Sequence, residues 1–279
     1  MFAPKECKIC GSTALSLVAH TATCQNCGVL LYYPYPVLAP DREDREVSQT
    51  SSLNWYTSSA HLNHANFTHA IRFAVDEFGT SAPVNVLDYG GGGGQFAIVC
   101  KSMLPHSRVS LVDIDDKGLL DLYRPYVRQV PFDRFGTDEE RYDYIFLNDV
   151  FEHVEDPIEV LRCLKVKLNA GGRIFIDTPK QFWLYPATKR LARPVYLKLL
   201  RGTVSPAHLQ IWSPKAFRLV VAKAGLRVVK YKEMAEFTRE PEFYLRNMGI
   251  ANPLLVTLAN LFYHHAASLA SNKIIATLA

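Results

Sequence analysis

Long apolar runs are missing from this 279-residue chain. The nearest approach, Gly249 to Ala270, is interrupted by Asn252, Asn260 and the pair His264–His265, which argues against a membrane-spanning helix. The opening MFAPKECKIC has no apolar stretch of the kind an export signal needs, so the cytoplasm is the expected compartment. Glycine (15) and proline (16) stay near average, which excludes collagen-like and low-complexity classes. A charged fraction of 21% beside 48% hydrophobic residues excludes a disordered chain or a coiled coil. The length suits one α/β domain with an appendage, or two modest domains.

One long stretch pairs a high density of basic residues with no acidic ones. Residues 178–232 hold twelve of the 31 Lys and Arg and no Asp or Glu, so the remainder carries nineteen basic residues against 27 acidic ones. A formal charge of +4 therefore hides a polarised chain. Such a field steers an anionic partner: a phosphate, a nucleotide, RNA or an acidic membrane surface.

Four of the six cysteines fall as Cys7-x2-Cys10 and Cys24-x2-Cys27, each pair followed by glycine (Gly11, Gly28). Two such turns supply four thiolates to one tetrahedral ion, the pattern of a closed structural zinc site, and the absence of an export signal argues against disulfides. Four protein ligands leave no open position, so the expected metal contributes folding energy rather than chemistry. Cys100 and Cys163 sit in apolar helical patterns and read as core.

Further along, Leu62, Ala65, Phe67, Ile71, Ala74, Val75 and Phe78 space as a helix over 61–78, ended by Gly79 and Pro83. A buried-strand pattern at 84–88 runs into five glycines, 90–94, and a helix over 95–104. Strand, glycine turn and helix form a nucleotide-binding crossover, in which glycine permits close backbone approach to a ligand at the helix N-terminus. The second strand, 109–114, ends on Asp113, placed to accept hydrogen bonds from both hydroxyls of a ribose. Alternation continues: a strand over 142–148, a helix over 157–168 with Asp156 as N-cap and Pro157 first, a turn at 169–172, a strand over 173–178, a helix over 213–224 and a strand over 226–231. This predicts a doubly wound, mostly parallel Rossmann-like α/β sheet, with two apolar-faced helices over 249–279.

Asp88-x-Gly90-x-Gly92-x-Gly94 resembles the first motif of class I S-adenosylmethionine (SAM) methyltransferases, although Gly91 and Gly93 stand where that family often shows cysteine and a small polar residue. The run from Asn148 to Pro157 (NDVFEHVEDP) resembles their fourth motif, the run from Leu168 to Arg173 the turn before their fifth strand, and the run from His208 to Ser213 their late segment. The resemblance implies that the turn 90–94 faces the methionine part of SAM, that Asp88 orients it and that Asp113 holds the ribose. It also implies that Ile114 packs on adenine and that Asn148 lines the site through its backbone. His153, after the fourth strand, and His208 are the candidate catalytic residues. Zinc-ribbon sugar methyltransferases carry a Glu-His pair matching the position of His208, where this chain has Ala207, and they have a large C-terminal domain that this chain lacks. Asp149, Glu152 and His153 would share one side of a helix, where some related O-methyltransferases hold a divalent metal. His61, His64 and His69 read as surface or lid residues, and Tyr56 as an aromatic that closes over SAM.

Between 179 and 212 lies a long connection in which Phe182, Trp183, Tyr185 and Tyr196 alternate with Lys180, Lys189, Arg190, Arg193, Lys198 and Arg201, suited to a sugar nucleotide, an RNA strand or phospholipid head groups. The expected organisation is a zinc ribbon over 1–36, a linker and helix over 37–83, a SAM-binding core over 84–233 with the basic insertion, and a C-terminal helical extension over 234–279. The expected activity is methyl transfer to oxygen or carbon of a small or glycan-like, phosphate-bearing acceptor, with peripheral contact at the inner membrane face as a further partner. RNA methylation is the alternative, and a non-catalytic binding module the second.

Overall fold

The computed structural model describes residues 4–18, 21–33, 49–50, 53–54, 56–75, 83–181, 208–236, 240–247, 249, 252–266 and 271–279. Most of the linker, Phe78, Gly79, the basic insertion from Phe182 to Arg201, and Ala207 lie outside them. The chain divides into two compact units, one comprising 1–37, 179–220 and 233–274, the other 38–178, 221–232 and 275–279.

In the first unit, β1 (Leu15–Val18), β2 (Thr21–Cys24) and β3 (Leu30–Tyr32) form an antiparallel meander, completed by β9 (Gln210–Ile211) on the far edge of β3. Ile9, Ala22, Val29, Leu30 and Leu31 are fully buried, a small core of the size that benefits from a metal staple.

The second unit is built on seven strands in the order β10-β11-β8-β7-β4-β5-β6: β4 (Asn85–Tyr89), β5 (Arg108–Val112), β6 (Val127–Gln129), β7 (Tyr142–Asn148), β8 (Leu168–Pro179), β10 (Val228–Met234) and β11 (Lys273–Leu278). β4 pairs in parallel with both β5 and β7. The chain runs outward from β4 to β6 and then returns to the other side of β4, so the order reverses between β4 and β7. A crevice opens at the strands' C-terminal ends at such a switch point, and this is where α/β sheets bind ligands.

The helices of this unit include α1 (Ala60–Ala74), α2 (Gln95–Met103), the single turn α3 (Phe132–Phe135) and α4 (Pro157–Val166); α5 (Pro214–Lys223) follows β9 in the chain. A run of rings locks α1 and α2 to one sheet face: Phe67 on Phe96 (5.4 Å), Phe96 on Phe146 (4.9 Å), Phe146 on Phe175 (5.5 Å) and Phe175 on Phe73 (6.0 Å). Asp156 caps α4 as expected, its Oδ1 accepting from the amides of Ile158 and Glu159 at 3.0 Å.

Three expectations change, and the first is Cys163, read as core but exposed on α4. Residues 169–172 are not a free turn but a wide bulge inside β8: Tyr142 pairs with Leu168 while Tyr144 pairs with Arg173. At Gly172 a Cβ would sit 2.9 Å from the Tyr142 carbonyl, so the bulge closes only on glycine. The C-terminal extension is also not wholly helical. After α6 (Pro241–Asn247) and α7 (Pro253–Ala266) comes β11, every residue of it buried, inserted between β8 and β10. Arg227 and Ala279 exchange both backbone hydrogen bonds, and Asn272 donates to Met234, so β11 runs antiparallel to β10. A short apolar run buried on both faces has no period of its own, and its sequence cannot distinguish strand from helix. On α7, Leu254, Leu255, Leu258 and Leu261 are exposed; no helix among the described residues is long and apolar enough to cross a membrane.

Candidate active site

The glycines after β4 each answer a different constraint. Gly90, Gly92 and Gly94 have φ of 77°, 51° and 84°, left-handed conformations that side chains rarely adopt. A Cβ on Gly90 would lie 2.6 Å from Val150 Cγ2, and one on Gly94 2.5 Å from Leu119 Cδ1. At Gly91, where φ is ordinary, a Cβ would meet the Asp88 carboxyl and Leu111 Cδ1 (2.6 Å). Only Gly92, of the four, faces open space.

Folded under this turn, Asp88 is buried and its Oδ2 has no hydrogen-bond partner among the described residues. Burial, and then the charge of Asp113, push its carboxyl up to about 8. Asp113 is half-buried at the end of β5, with Oδ2 accepting from the Gly92 amide (2.8 Å) and Oδ1 from the Asp115 amide (2.8 Å). Burial raises the Asp113 carboxyl, those two amides draw it back, and Asp115 and Asp116 push it up again. The next residue, Ile114, is 54% exposed and offers an apolar surface beside the carboxylate. Asn148 ends β7 opposite Asp177, and its Nδ2 is buried without a partner among the described residues.

Residues 149–153 form a turn rather than a helix, so Asp149, Glu152 and His153 do not gather into one cluster. Asp149 takes a left-handed φ of 52°, its amide donates to the Asp177 carbonyl (3.1 Å), and its carboxylate lies within 4.8 Å of that of Asp177. Glu152 is buried and accepts from Thr178 Oγ1 at 2.9 Å; its other oxygen is 3.9 Å from His153 Nε2. His153 stands at the surface of this unit, its side chain 27% exposed. His208 belongs to the first unit, immediately before β9. His61 and His64 are exposed on α1, while burial, and then Lys232, lower the pKa of His69. Tyr56 stacks on Phe67 at 6.2 Å. Sequence reasoning overlooked Asn63, fully buried on α1 and donating to the Tyr56 carbonyl (3.2 Å). The signal was an amide side chain on a helix's apolar face.

In the first unit the four cysteines converge. Their sulfur atoms lie within 4.8 Å of one another, with Cys7–Cys27 at 3.6 Å and Cys10–Cys24 at 3.5 Å, and all are free thiols. A tetrahedron with arms of ~2.3 Å has edges of about 3.8 Å, so the spacing matches a four-thiolate zinc cage. Gly11 (φ 74°) and Gly28 (φ 79°) give the tight turns, and the Cys27 amide points at Cys24 Sγ (3.5 Å). The contact between the Cys7 and Cys27 sulfurs holds the Cys7 thiol down at about 5 and pushes Cys27 up.

Comparison with known proteins gives this geometry a context. A family model described as a methyltransferase domain matches residues 59–231. The ubiquinone biosynthesis O-methyltransferase of Coxiella burnetii is 21% identical over 218 residues, covering 72% of this chain and 92% of that protein. The malonyl-[acyl-carrier protein] O-methyltransferase 1 of Ilyobacter polytropus is 22% identical, covering 62% and 68%. Among solved structures, coclaurine N-methyltransferase bound to N-methylheliamine and SAH superposes with a TM-score of 0.54 at 17% identity, over 77% of this chain and 71% of that one. The [4+2]-cyclase SpnF also reaches 0.54, at 14% identity, over 84% and 95%.

Proposed function

The chain belongs to the methyltransferase-domain family and is a SAM-dependent methyltransferase of the class I fold, and from that premise we propose that it methylates an oxygen atom of a small, phosphate-bearing or glycan-like acceptor. The observation that carries the cofactor site is the convergence at the switch point of Gly92 facing open space, two buried polar groups without partners among the described residues (Asp88 Oδ2, Asn148 Nδ2) and an exposed Ile114 beside Asp113. Orphaned buried polar atoms are costly, and a polar ligand that engages them relieves that cost. Asp113 would accept the ribose hydroxyls, Asp88 would face the cationic amino-acid end, and Ile114 would cover the base.

SAM, when bound, supplies a methyl made electrophilic by its sulfonium. The protein's own task is alignment of the acceptor and removal of its proton. His153 is the candidate proton acceptor: it follows β7, and its Nε2 lies 3.9 Å from the buried Glu152 carboxylate. Oxygen as the acceptor atom follows the O-methyltransferases that the chain resembles. An anionic acceptor follows the acid-free stretch 178–232, most of whose charged insertion lies outside the described residues. The cysteine cage is read as a structural zinc site, with Cys7, Cys10, Cys24 and Cys27 as ligands.

Calorimetric titration with SAM, using Asp113→Ala as control, tests the cofactor site. Micromolar binding that the variant loses by about tenfold or more supports it. Absence of binding by folded, zinc-replete protein removes the enzymatic reading and leaves a binding module. Transfer of labelled methyl to phosphosugars or phenols rather than to RNA then tests the acceptor, and His153→Gln is expected to lower kcat about 10²-fold or more with little change in SAM affinity.

A further inference from the structure

Resting on the reading of the four cysteines as a zinc centre, we infer that metal binding and the ordering of residues 208–215, the segment that carries His208, are one thermodynamic event. The second cysteine turn presents three consecutive backbone carbonyls, and each is taken by a side chain from far along the chain. Lys215 Nζ donates to the Asn26 carbonyl (2.6 Å), Ser213 Oγ to that of Cys27 (2.5 Å) and Gln181 Nε2 to that of Gly28. Ser213 Oγ also accepts from the Ala216 amide (3.0 Å), so the same hydroxyl caps the first turn of α5. The fit is close, since a Cβ on Gly28 would lie 3.1 Å from Ser213 Oγ.

The strand between these anchors depends on the ribbon as well. β9 is two residues long, and it pairs Ile211 with Leu30 and Gln210 with Leu31, while the Tyr32 amide donates to the Leu209 carbonyl at 3.0 Å. Gln181 and Trp212 tie the next step: the Gln181 amide donates to the Trp212 carbonyl (2.9 Å), and its side chain also reaches that of Ile211 (3.4 Å). Two-residue pairing does not persist alone. It needs β3 held in register and the carbonyls of 26–28 held within reach of their donors, and both follow from the turn that would place Cys24 and Cys27 on one ion. Gly28, in the left-handed region, donates back to the Cys24 carbonyl (2.9 Å), so loss of the metal releases the turn and its three acceptors together. Linkage is reciprocal: if the metal orders 208–215, then docking of that segment tightens the metal.

Hydrogen exchange on the full chain, with and without zinc, reads the coupling directly. Amides of 209–212 are expected to exchange at least about tenfold faster after chelation, while those of β4 and β5 change less than about twofold. Ser213→Ala with Lys215→Met keeps all four cysteines and is expected to weaken zinc about tenfold in chelator competition, with faster exchange at 211–212 in the metal-loaded protein. This second measurement holds even where chelation unfolds the whole chain. Protection retained at 209–212 in metal-free protein whose β2 and β3 amides have lost theirs overturns the inference, as does unaltered zinc affinity in the double variant. Failure of the zinc reading itself is separately visible, as a lack of thiolate charge-transfer bands on cobalt addition.

Discussion

The candidate cofactor site and the cysteine cage are built from the same local device, a glycine turn in left-handed conformation, but their supports differ. Around 88–94 the partners that close the turn sit at the end of the adjoining parallel strands or in the segments that follow them: Val112, Asp113, Leu119 and Val150. The second cysteine turn is braced by residues 153, 186 and 189 positions away. One is set by a crossover that folds as a piece. The other joins three stretches of chain and, on the zinc reading proposed above, would depend on a metal to hold them. Damage to the first should therefore act on SAM affinity, and damage to the second on order and stability within its own unit.

The severest way to sharpen that contrast is Cys24→Ser with Cys27→Ser. Structural zinc contributes on the order of 10 kcal/mol of apparent folding free energy, more than a ribbon core this small supplies. The variant should lose bound zinc, and its chemical unfolding should split into two steps, only the second resembling the parent's. SAM affinity should stay within about threefold. A parallel collapse of SAM binding would show that the units are not separable.

The same contrast explains what could be read from the sequence. The glycine turn, the place of Asp113 after the second strand and the Asp156 cap are short-range patterns set by neighbours in the chain, and they stand where they were expected. The convergence of the four cysteines was legible because their paired spacing is that of a four-thiolate site. The bracing of Asn26, Cys27 and Gly28 by Lys215, Ser213 and Gln181 left no local mark. Nor did β11, whose place between β8 and β10 is set by the sheet rather than by its own period. Asp149 was misread for a related reason: its left-handed backbone turns the chain and associates its carboxylate with Asp177, while a helical reading would have aimed it at His153.

A smaller break comes from pH. Asp88 is buried, and its carboxyl is pushed up to about 8 by burial and by Asp113. A carboxyl raised on folding binds its proton more tightly in the native state. Its stabilising effect is therefore complete below the ordinary carboxylate range and is lost as pH climbs through about 8. Stability of the second unit without ligand should fall across that window, with a ceiling on the order of 5 kcal/mol. Asp88→Asn should flatten the slope in denaturant titrations at pH 5, 7 and 8.5. A cationic ligand favours the ionised form, so SAM binding at pH 7 should release a proton, measurable by calorimetry in buffers of different ionisation heat. An Asn variant with the parent's pH slope would assign the titration to another group.

The finest test separates Gly91 from its neighbours. Gly90, Gly92 and Gly94 are required by backbone angle, whereas Gly91 has an ordinary φ and is excluded from carrying a side chain only by the Asp88 carboxyl and Leu111 beneath it. Alanine there overpacks a closed turn, an effect of about 1–3 kcal/mol, or roughly ten- to a hundredfold in SAM affinity. Combining Gly91→Ala with Asp88→Gly should recover part of the turn's stability, since the space reopens, but not the affinity, since the carboxylate is gone. Gly92→Ala meets no neighbour and should act through its φ of 51° alone, straining the amide that holds Asp113. If Gly91→Ala bound SAM as the parent does, the carboxyl beneath the turn would have another place to go, and its burial would not be what makes this turn a cofactor site.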